Sequence, residues 1–196
     1  VLRNTQRMGL QEMFEIAGIS SSDVTEETVG FQLAPRLNAL GRLDDPNPAI
    51  DLLTGFDDEE VHEIALLIHQ KNEERKEIVQ SIYDEAKGMV DPEKSVQVLA
   101  KEGWNSGVLG IVAGRLLEEL GQTVIVLNIE DGRAKGSARS IEAVDIFEAL
   151  DPHRELFIAF GGHAGAAGMT LEVDKLEVLS DLLEAYIREK GADVQG

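Results

Sequence analysis

A glycine-rich segment with a single histidine, GGHAGAAG at residues 161–168, holds residue types suited to binding an anion. Glycines allow a ligand to approach the backbone closely, and consecutive unhindered amides can form a concave anion-binding nest. The histidine, His163, adds a ring that can donate a hydrogen bond to an oxyanion. A tight turn of small residues around a core histidine has the same composition, so the segment alone leaves both interpretations open.

Two further segments combine glycine with hydroxyl, amide or basic groups. GWNSGVLGIVAGR at 103–115 follows a strand pattern and precedes a helical pattern, an arrangement in which exposed amides and a helix dipole bind phosphate. KGSARS at 135–140 places Ser137, Arg139 and Ser140 on a candidate strand, where they suit phosphate oxygens. Helix capping, burial of the tryptophan and an ordinary edge strand are the corresponding structural alternatives.

The distribution of charge separates these segments from the rest of the chain. The chain has 37 acidic and 18 basic residues and a formal net charge of −19, which on average argues against a nucleic-acid partner. Four windows rich in glycine or arginine nevertheless contain no acidic residue, namely 34–43, 103–117, 132–141 and 156–171. The same windows hold the basic residues Arg36, Arg42, Arg115, Arg133, Lys135 and Arg139. They predict a local anion-binding face on an acidic body.

A long helix organises the elements that must position these segments. Between residues 57 and 89 there is no proline, and apolar residues recur at helical spacing, which predicts one helix. Its middle turns, 70–76, are almost wholly polar, as expected of a helix that bridges two bodies. Pro92 closes the pattern. We therefore predict three parts, at 1–56, 57–91 and 92–196.

The third part alternates strand and helix patterns. Strands are expected at 95–102, 123–130, 133–140 and 168–173, and helices at 108–120, 144–150 and 174–190. The dipeptide Asp131-Gly132 predicts a two-residue hairpin turn, and the glycine-rich segment is expected to be a loop before the last strand. The fold class is therefore α/β, a mixed β-sheet domain with flanking helices, preceded by the long connecting helix.

The first part has less regular patterns. A helix is expected at 4–17, a short strand at 28–33, an arginine-bearing loop at 34–43 and a short helix at 49–53. The chain begins without methionine and within a helical pattern, which predicts a piece of a longer protein.

Composition excludes several classes of protein. The chain has no cysteine, which rules out disulfide frameworks and thiolate metal sites and fits a reducing cytoplasm. No apolar run approaches the about 20 residues that a membrane span requires. We therefore expect a cytoplasmic protein without a membrane partner.

Four segments taken in order, APRLNALGR, GWNSGVLGIVAGR, KGSARS and FGGHAGAAGMTL, closely resemble the RecJ family of the DHH phosphoesterase superfamily. The resemblance covers essentially the whole chain. It implies that 1–56 is the carboxy-terminal remnant of a catalytic DHH domain, and that 92–196 is the DHH-associated domain, which binds nucleic acid. The matching positions are the implied substrate-binding residues: Arg36, Asn38, Arg42, Asn105, Gly107, Arg115, Ser137, Arg139, Ser140, Gly161, Gly162 and His163.

The resemblance implies the substrate-gripping part of a 5′-to-3′ exonuclease that acts on single-stranded DNA in repair and recombination. Arg36, Arg42 and Arg139 would neutralise phosphates, His163 would bond the phosphate near the reacting bond, and Trp104 is expected to pack in the core.

The same resemblance implies a divalent metal, manganese or magnesium, for the intact enzyme. In the family the metal ligands come from an Asp-His-His run and neighbouring acidic motifs, and none of the 4 histidines here lies in such a run. No catalytic residue, metal site or cofactor is therefore expected in this chain. The missing amino-terminal DHH catalytic domain of the same chain would supply them, and this piece alone is expected to be inactive.

Three other functions stay open. A DHH-family phosphodiesterase acting on short oligonucleotides or cyclic dinucleotides shares the Gly-Gly-His element. A non-catalytic nucleic-acid-binding module, similar to the accessory domain of alanyl-tRNA synthetase, would not explain APRLNALGR. An acidic interaction protein without a nucleic-acid function would show no salt-dependent binding of DNA.

Overall fold

The computed structural model describes residues 2–193, which divide by their contacts into two compact units. The first unit ends at Glu77 and the second begins at Ile78, so the boundary lies inside the longest helix, Asp58–Lys87. That helix agrees with the single helix predicted between 57 and 89. Over the described range, no helix combines the length and the apolar composition that a membrane crossing requires.

The first unit is helical. Its helices are α1 (Met8–Ile16), α2 (Glu26–Thr28), α3 (Ala34–Leu43), α4 (Asn47–Thr54) and the first part of α5 (Asp58–Lys87), with 3-10 turns at Leu2–Asn4 and Ser21–Asp23. The chain leaves α1 through Gly18, whose φ of 65° explains why a glycine ends this helix. Met13, Leu40 and Leu52 are fully buried at the centre of the unit's core.

The strand predicted at 28–33 is wrong. A π-helical turn, Val29–Leu33, occupies this segment and joins α2 to α3. Its β-branched and aromatic residues favour a strand in isolation, but the side chains of Thr25 and Thr28 form a reciprocal capping box that starts a helix. Burial of Leu33 in the core then favours the helical conformation.

The arginine-bearing loop predicted at 34–43 is also wrong, because α3 covers the same residues. Pro35 lies in the first turn of α3, where its missing amide hydrogen costs no hydrogen bond. Leu37 and Leu40 pack into the same core as Leu33, at the spacing of one helix face.

The second unit is built around a five-stranded sheet. Its strands are β1 (Val96–Glu102), β2 (Thr123–Glu130), β3 (Arg133–Arg139), β4 (Ala159–His163) and β5 (Ala166–Glu172). They are arranged in the order β1-β2-β3-β5-β4, in which β1 and β2 are parallel and the other neighbours are antiparallel. The prediction of an α/β domain with a mixed sheet is therefore confirmed.

Helices cover the two faces of this sheet unequally. The helices are α6 (Leu109–Leu120), α7 (Ile146–Leu150) and α8 (Leu176–Asp193), with 3-10 turns at Asp151–Leu156 and Val173–Lys175. α6 packs against β2 and β3, whereas buried residues of α7 and α8 share one core with the opposite face of the sheet. Gly121, with a φ of 64°, ends α6 as its position predicted.

The hairpin between β2 and β3 follows the sequence prediction. Asp131 and Gly132 have φ values of 50° and 75°, and two successive positive values define the tight turn that matches the twist of the strands. Strand β3 thereby lies between β2 and β5 in the middle of the sheet.

The glycine-rich segment is a hairpin, not the loop that we expected from its composition. β4 ends at His163 and β5 already begins at Ala166, two residues before the predicted strand start. Glycine is depleted in strands in general, but here one glycine is required. A Cβ added to Gly162 would lie 2.3 Å from the carbonyl oxygen of Ala166, so only glycine allows the two backbones to pair this closely.

Packing of α1 on α4 gives a test of the first unit. A Cβ added to Gly9 would lie 1.9 Å from the carbonyl oxygen of Leu52, so Gly9→Ala must push α1 away from α4. We expect this substitution to lower the free energy of unfolding of the first unit by about 1 to 3 kcal/mol. Gly30→Ala is the control, because nothing lies within 4 Å of its added Cβ. Urea denaturation followed by circular dichroism measures both variants, and equal stabilities would contradict this packing.

Candidate functional site

The register of three antiparallel strands decides which polar side chains share a face. Arg139 of β3 pairs with Ala166 of β5, and Ala166 pairs in turn with His163 of β4. Directly paired residues in antiparallel strands project to the same side of the sheet. Arg139 and His163 therefore lie on one face, two strands or about 10 Å apart. We call Arg139, Ala166 and His163 the arginine row.

Two more rows continue this face along the strands. The glycine row consists of Ser137, Gly168 and Gly161. The lysine row consists of Lys135, Thr170 and Ala159. Successive rows are about 6.7 Å apart, because every second residue of a strand points to the same side. The three rows together form what we call the open face, and none of its nine residues is acidic.

The alternate residues of the same strands hold the open face in register. They are buried in the core that the sheet shares with α7 and α8: Ala134, Ala138, Ala167, Met169 and Leu171. A shift by one residue would bury Arg139 and expose this apolar set, which the loss of apolar burial strongly disfavours. Burial of the apolar residues on one face therefore determines which polar residues lie on the open face.

Arg139 lies against the first turn of α6. Its Nη1 donates to the carbonyl oxygen of Ala138 at 2.8 Å, and a Cβ added to Gly110 would lie 2.8 Å from its Nη2. The same added Cβ would lie 3.4 Å from the hydroxyl oxygen of Ser137. The missing side chain at Gly110 therefore makes room for a guanidinium and a hydroxyl side by side.

The His163 ring accepts a hydrogen bond from the backbone. Its Nδ1 accepts a hydrogen bond from the backbone N–H of Gly165 at 3.3 Å, and the side chain is exposed. A neutral imidazole that accepts at Nδ1 carries its proton on Nε2. The ring can therefore donate a hydrogen bond from Nε2 to an oxyanion.

Trp104 belongs to the core, as expected. Only 4% of its surface is exposed, and its Nε1 donates to Oε2 of Glu85 at 2.9 Å. Hydrogen bonds from Lys101 and from Trp104 lower the pKa of the Glu85 carboxyl, so the acceptor stays ionised. The backbone N–H of Trp104 also donates to Oδ1 of Asn128 at 3.0 Å, which fastens the loop before α6 onto β2.

The remainder of that loop forms a turn and not a helix cap. Oδ1 of Asn105 accepts from the N–H of Gly107 at 2.9 Å, and no side chain bonds at the N-cap of α6, Val108. Ser106, between them, is exposed and borders a shallow depression of about 350 Å³ over the glycine and lysine rows.

Three of the implied residues of this unit make other contacts. The guanidinium of Arg115 lies 4.1 Å from the ring centroid of Tyr83 and donates to Oε1 of Gln80 at 3.1 Å. The hydroxyl of Ser140 donates to the carbonyl oxygen of Val144 at 2.6 Å. Gly162 is paired with Ala167 on the core side. Ser137, Arg139, Gly161 and His163 are the implied residues that meet on the open face.

Arg36, Asn38 and Arg42 belong to the first unit. Asn38 and Arg42 are four residues apart on α3, hence on one helix face, and both line a depression of about 530 Å³. Arg36 lies on a different face, where its Nη1 donates to the carbonyl oxygen of Gln32 at 2.5 Å. Asn38 and Arg42 therefore share a surface that does not include Arg36.

Two positive charges of the first unit, Arg42 and Arg75, lie near one another, and only Arg42 is among the residues implied by the sequence. Nε of Arg36, Nδ1 of His69 and Nε of Arg75 are buried, and within residues 2–193 they have no hydrogen-bond partner. Burial and the nearby charge of Arg42 lower the pKa of Arg75. Two cations held close together would be stabilised by an anion. Both α5 residues lie in the polar middle of a long helix, where nothing in the sequence pattern marks them.

Five of the nine residues of the open face are not among those implied by the sequence, and they are Lys135, Ala159, Ala166, Gly168 and Thr170. The signal was present, because residues 135, 137 and 139 alternate with the buried side of one strand. In the described part of the chain, no cluster of three or more histidine, aspartate or glutamate side chains could hold a metal ion.

Comparisons with known proteins cover most of this chain. A family model described as the DHHA1 domain matches residues 93–189. The single-stranded-DNA-specific exonuclease RecJ of Bacillus subtilis is 46% identical over 187 residues, which cover 93% of this chain and 24% of that protein. The protein of the same description from Escherichia coli is 34% identical over 195 residues, covering 93% of this chain and 34% of that protein. The chain thus spans about a quarter to a third of their length.

Solved structures show the same fold. The crystal structure of RecJ in complex with Mg²⁺ from Thermus thermophilus superimposes with a TM-score of 0.86 at 28% identity, covering 96% of this chain and 29% of that one. A crystal structure of exonuclease RecJ bound to manganese gives a TM-score of 0.80 at 28% identity, covering 94% of this chain and 46% of that one.

The two adjacent glycines of β4 should respond differently to alanine. Gly162→Ala puts a Cβ 2.3 Å from the Ala166 carbonyl oxygen and should lower the free energy of unfolding of the second unit by about 1 to 3 kcal/mol. Gly161→Ala puts its Cβ on the open face with nothing within 4 Å, so the stability should be unchanged or slightly raised. Thermal denaturation distinguishes them, and a destabilised Gly161→Ala would mean that the fold itself requires that glycine.

Proposed function

Because this chain belongs to the RecJ family and carries its DHHA1 domain, we propose that it is the substrate-gripping part of a 5′-to-3′ single-stranded-DNA exonuclease. One observation carries the proposal: Arg139 and His163 lie in one row of a face without carboxylates. The relatives described as single-stranded-DNA-specific exonucleases support DNA as the ligand. The 46% identity over 187 residues to one of them favours this function over a phosphodiesterase for cyclic dinucleotides.

The groups of the open face suit a phosphate. The guanidinium of Arg139 offers charged donors in a planar fork, and Nε2 of His163 and the hydroxyl of Ser137 add further donors to the same face. Gly161 leaves bare backbone between them, so that a sugar-phosphate chain can come close. Contacts of this kind position a strand without reading its bases, as a nuclease that removes successive nucleotides requires.

The first unit has proposed DNA contacts of its own. We propose that 1–56 is part of a DHH domain, that 57–91 is a connecting helix and that 92–196 is the DHH-associated domain. Asn38 and Arg42, on one surface of α3, are the proposed contacts here, and Arg75 raises the positive potential beside Arg42. Such a protein would act in DNA repair and recombination in the cytoplasm.

The hydrolytic step does not belong to this chain in our proposal. Related structures contain Mg²⁺ or manganese, and a divalent ion can activate water and stabilise a leaving oxygen. The donor set for such an ion is not present in residues 2–193. We therefore assign the metal and the reaction to an amino-terminal DHH domain of the longer protein, and assign substrate binding to the residues above.

The chain by itself should be inactive. We expect no release of nucleotides from a 5′-labelled single strand with either Mg²⁺ or Mn²⁺, because the described residues contain no cluster of three or more side chains that could hold the metal. Denaturing gel electrophoresis of the labelled strand measures this, with longer protein containing the amino-terminal domain as the positive control. Metal-dependent cleavage by the purified chain would contradict the assignment.

The open face should bind single-stranded DNA in a salt-dependent manner. We expect Arg139→Gln to weaken binding of a 5′-phosphorylated oligothymidylate by about tenfold to a hundredfold, because one charge-assisted contact is lost. Arg133→Gln removes the same charge from the hairpin tip, where Arg133 faces Glu172 at 3.8 Å, and should have little effect. Fluorescence anisotropy at two low salt concentrations measures both. Equal losses in the two variants, or binding that does not weaken as salt rises, would contradict the proposal.

A further inference from the structure

The lysine row holds a cation on a central strand, with neutral neighbours. Lys135 is exposed, and β3 lies between β2 and β5, so this is not an edge position. Its directly paired neighbours are Asn128 and Thr170. A carboxylate at either position would neutralise the ammonium, and neither residue carries one. The charge of Lys135 is therefore available to an anion on the open face.

The depression beside Lys135 is lined by groups that bind oxyanions. Ser106, Ser137, Thr170 and Lys135 line it together with glycines and the apolar residues Ala159, Phe160 and Met169, and no acidic residue takes part. Its position is set from two sides, by the register of β3 and β5 and by the bond from Trp104 to Asn128 that holds the loop carrying Ser106. Hydroxyls and an ammonium around one hollow match the oxygens of a phosphate.

Two glycines that line the depression, Gly161 and Gly168, are not required by the packing of the fold. Gly161 and Gly168 are directly paired in the glycine row. A Cβ added to Gly161 would meet nothing within 4 Å, and one added to Gly168 would meet only the carbonyl oxygen of Gly136, at 4.0 Å. Alanine would fit the fold at both positions, and it would also fill the surface on which a ligand could lie.

The distance along β3 separates this depression from the contacts of Arg139. Arg139 is four positions further along the strand than Lys135, and a strand rises about 3.3 Å per residue, so the two Cα atoms are about 13 Å apart. A stacked DNA strand advances about 3.4 Å along its helix axis for each phosphate, and consecutive phosphates are farther apart than this rise, yet closer together than about 13 Å. The two cations are therefore spaced for different phosphates of one strand.

We propose that Lys135, with Thr170 and Ser106, forms a second phosphate subsite, which holds a backbone phosphate inward from the strand end bound by the arginine row. This inference rests on the proposed function and deepens it, because it gives the path of the strand from the arginine row over the glycine row to the lysine row. The next position along β3 limits the track: Arg133 is opposite Glu172 in the register, and the carboxylate of Glu172 would repel a phosphate.

A length series tests the subsite. The chain is titrated at low salt with 5′-phosphorylated oligothymidylates, from the shortest strand that binds measurably to strands several nucleotides longer. Lys135→Gln should weaken the longer strands about tenfold and leave the shortest unchanged, because only the longer ones reach the second subsite. The slope of log affinity against log salt for the long strands should become shallower by about 0.7, the value for one contact to a single strand.

Two matched variants complete the experiment. Arg133→Gln removes the same charge one row further on and should leave all lengths unchanged, whereas Arg139→Gln should weaken all lengths. Lys135→Gln that binds long strands as tightly as the natural chain, or that weakens every length equally, would overturn the second subsite while leaving the arginine row intact. Failure of the natural chain to bind any strand at low salt would instead overturn the proposed function, and the subsite with it.

Discussion

Cross-strand pairing of β3 with β5 and of β5 with β4 is the constraint on which the candidate site depends. Arg139 and His163 are separated by more than twenty residues, yet both pair with Ala166, and this places them in one row. The pairing is held by the other face of the same strands, where apolar residues are buried against α7 and α8. Successive side chains of a strand point to opposite faces of the sheet, so the same alternation buries the apolar residues and exposes the polar ones.

Glycines have two different roles in the second unit. Gly162 and Gly110 allow close approach within the protein, of one backbone to another and of a guanidinium to a helix. Gly161 and Gly168 have open space where a side chain would be, so the fold gives no reason for them. Glycines with open space above them indicate a binding surface, whereas glycines in close contact indicate packing. Amino-acid composition alone does not distinguish these two groups of glycines.

The net charge of −19 and a phosphate ligand are compatible because the charges are segregated. Acidic residues lie outside the nine positions of the open face, and the nearest carboxylate along β3 and β5 is Glu172, at the hairpin end. At physiological ionic strength, charges farther away than about 8 Å are largely screened, so local groups dominate. The acidic body still lowers the affinity at low salt, where screening is weak.

Much of the second unit could be predicted from the sequence, because its signals are local. β2 occupies the residues that its apolar run predicted, and Asp131-Gly132 and Gly121 end elements where expected. The prediction of a strand at 28–33 was wrong because helix capping and contacts in the core outweighed the strand propensity of these residues. The prediction of a loop in the glycine-rich segment was wrong because glycine is favoured there by close backbone pairing between β4 and β5. Such pairing is not a local property of the sequence.

The candidate site was predictable in part for the same reason. A resemblance of motifs pointed to Arg139 and His163, and the register places them together. The contacts of Arg115 with Tyr83 and of Ser140 with Val144 depend on packing between distant segments, which motif matching does not report. Alternation along β3 places Lys135 on the same face as Arg139, so its position on the open face could be predicted from the sequence.

The most direct test of the open face is a map of the backbone amides that respond to DNA. Nuclear magnetic resonance spectra of the isotopically labelled chain would be recorded during titration with a 5′-phosphorylated oligothymidylate at low salt. We expect the shift changes in the second unit to concentrate on β3, β4, β5 and the loop before α6, and we expect the amides of α8 to stay unchanged. Changes concentrated on α8, or spread evenly over the second unit, would contradict it.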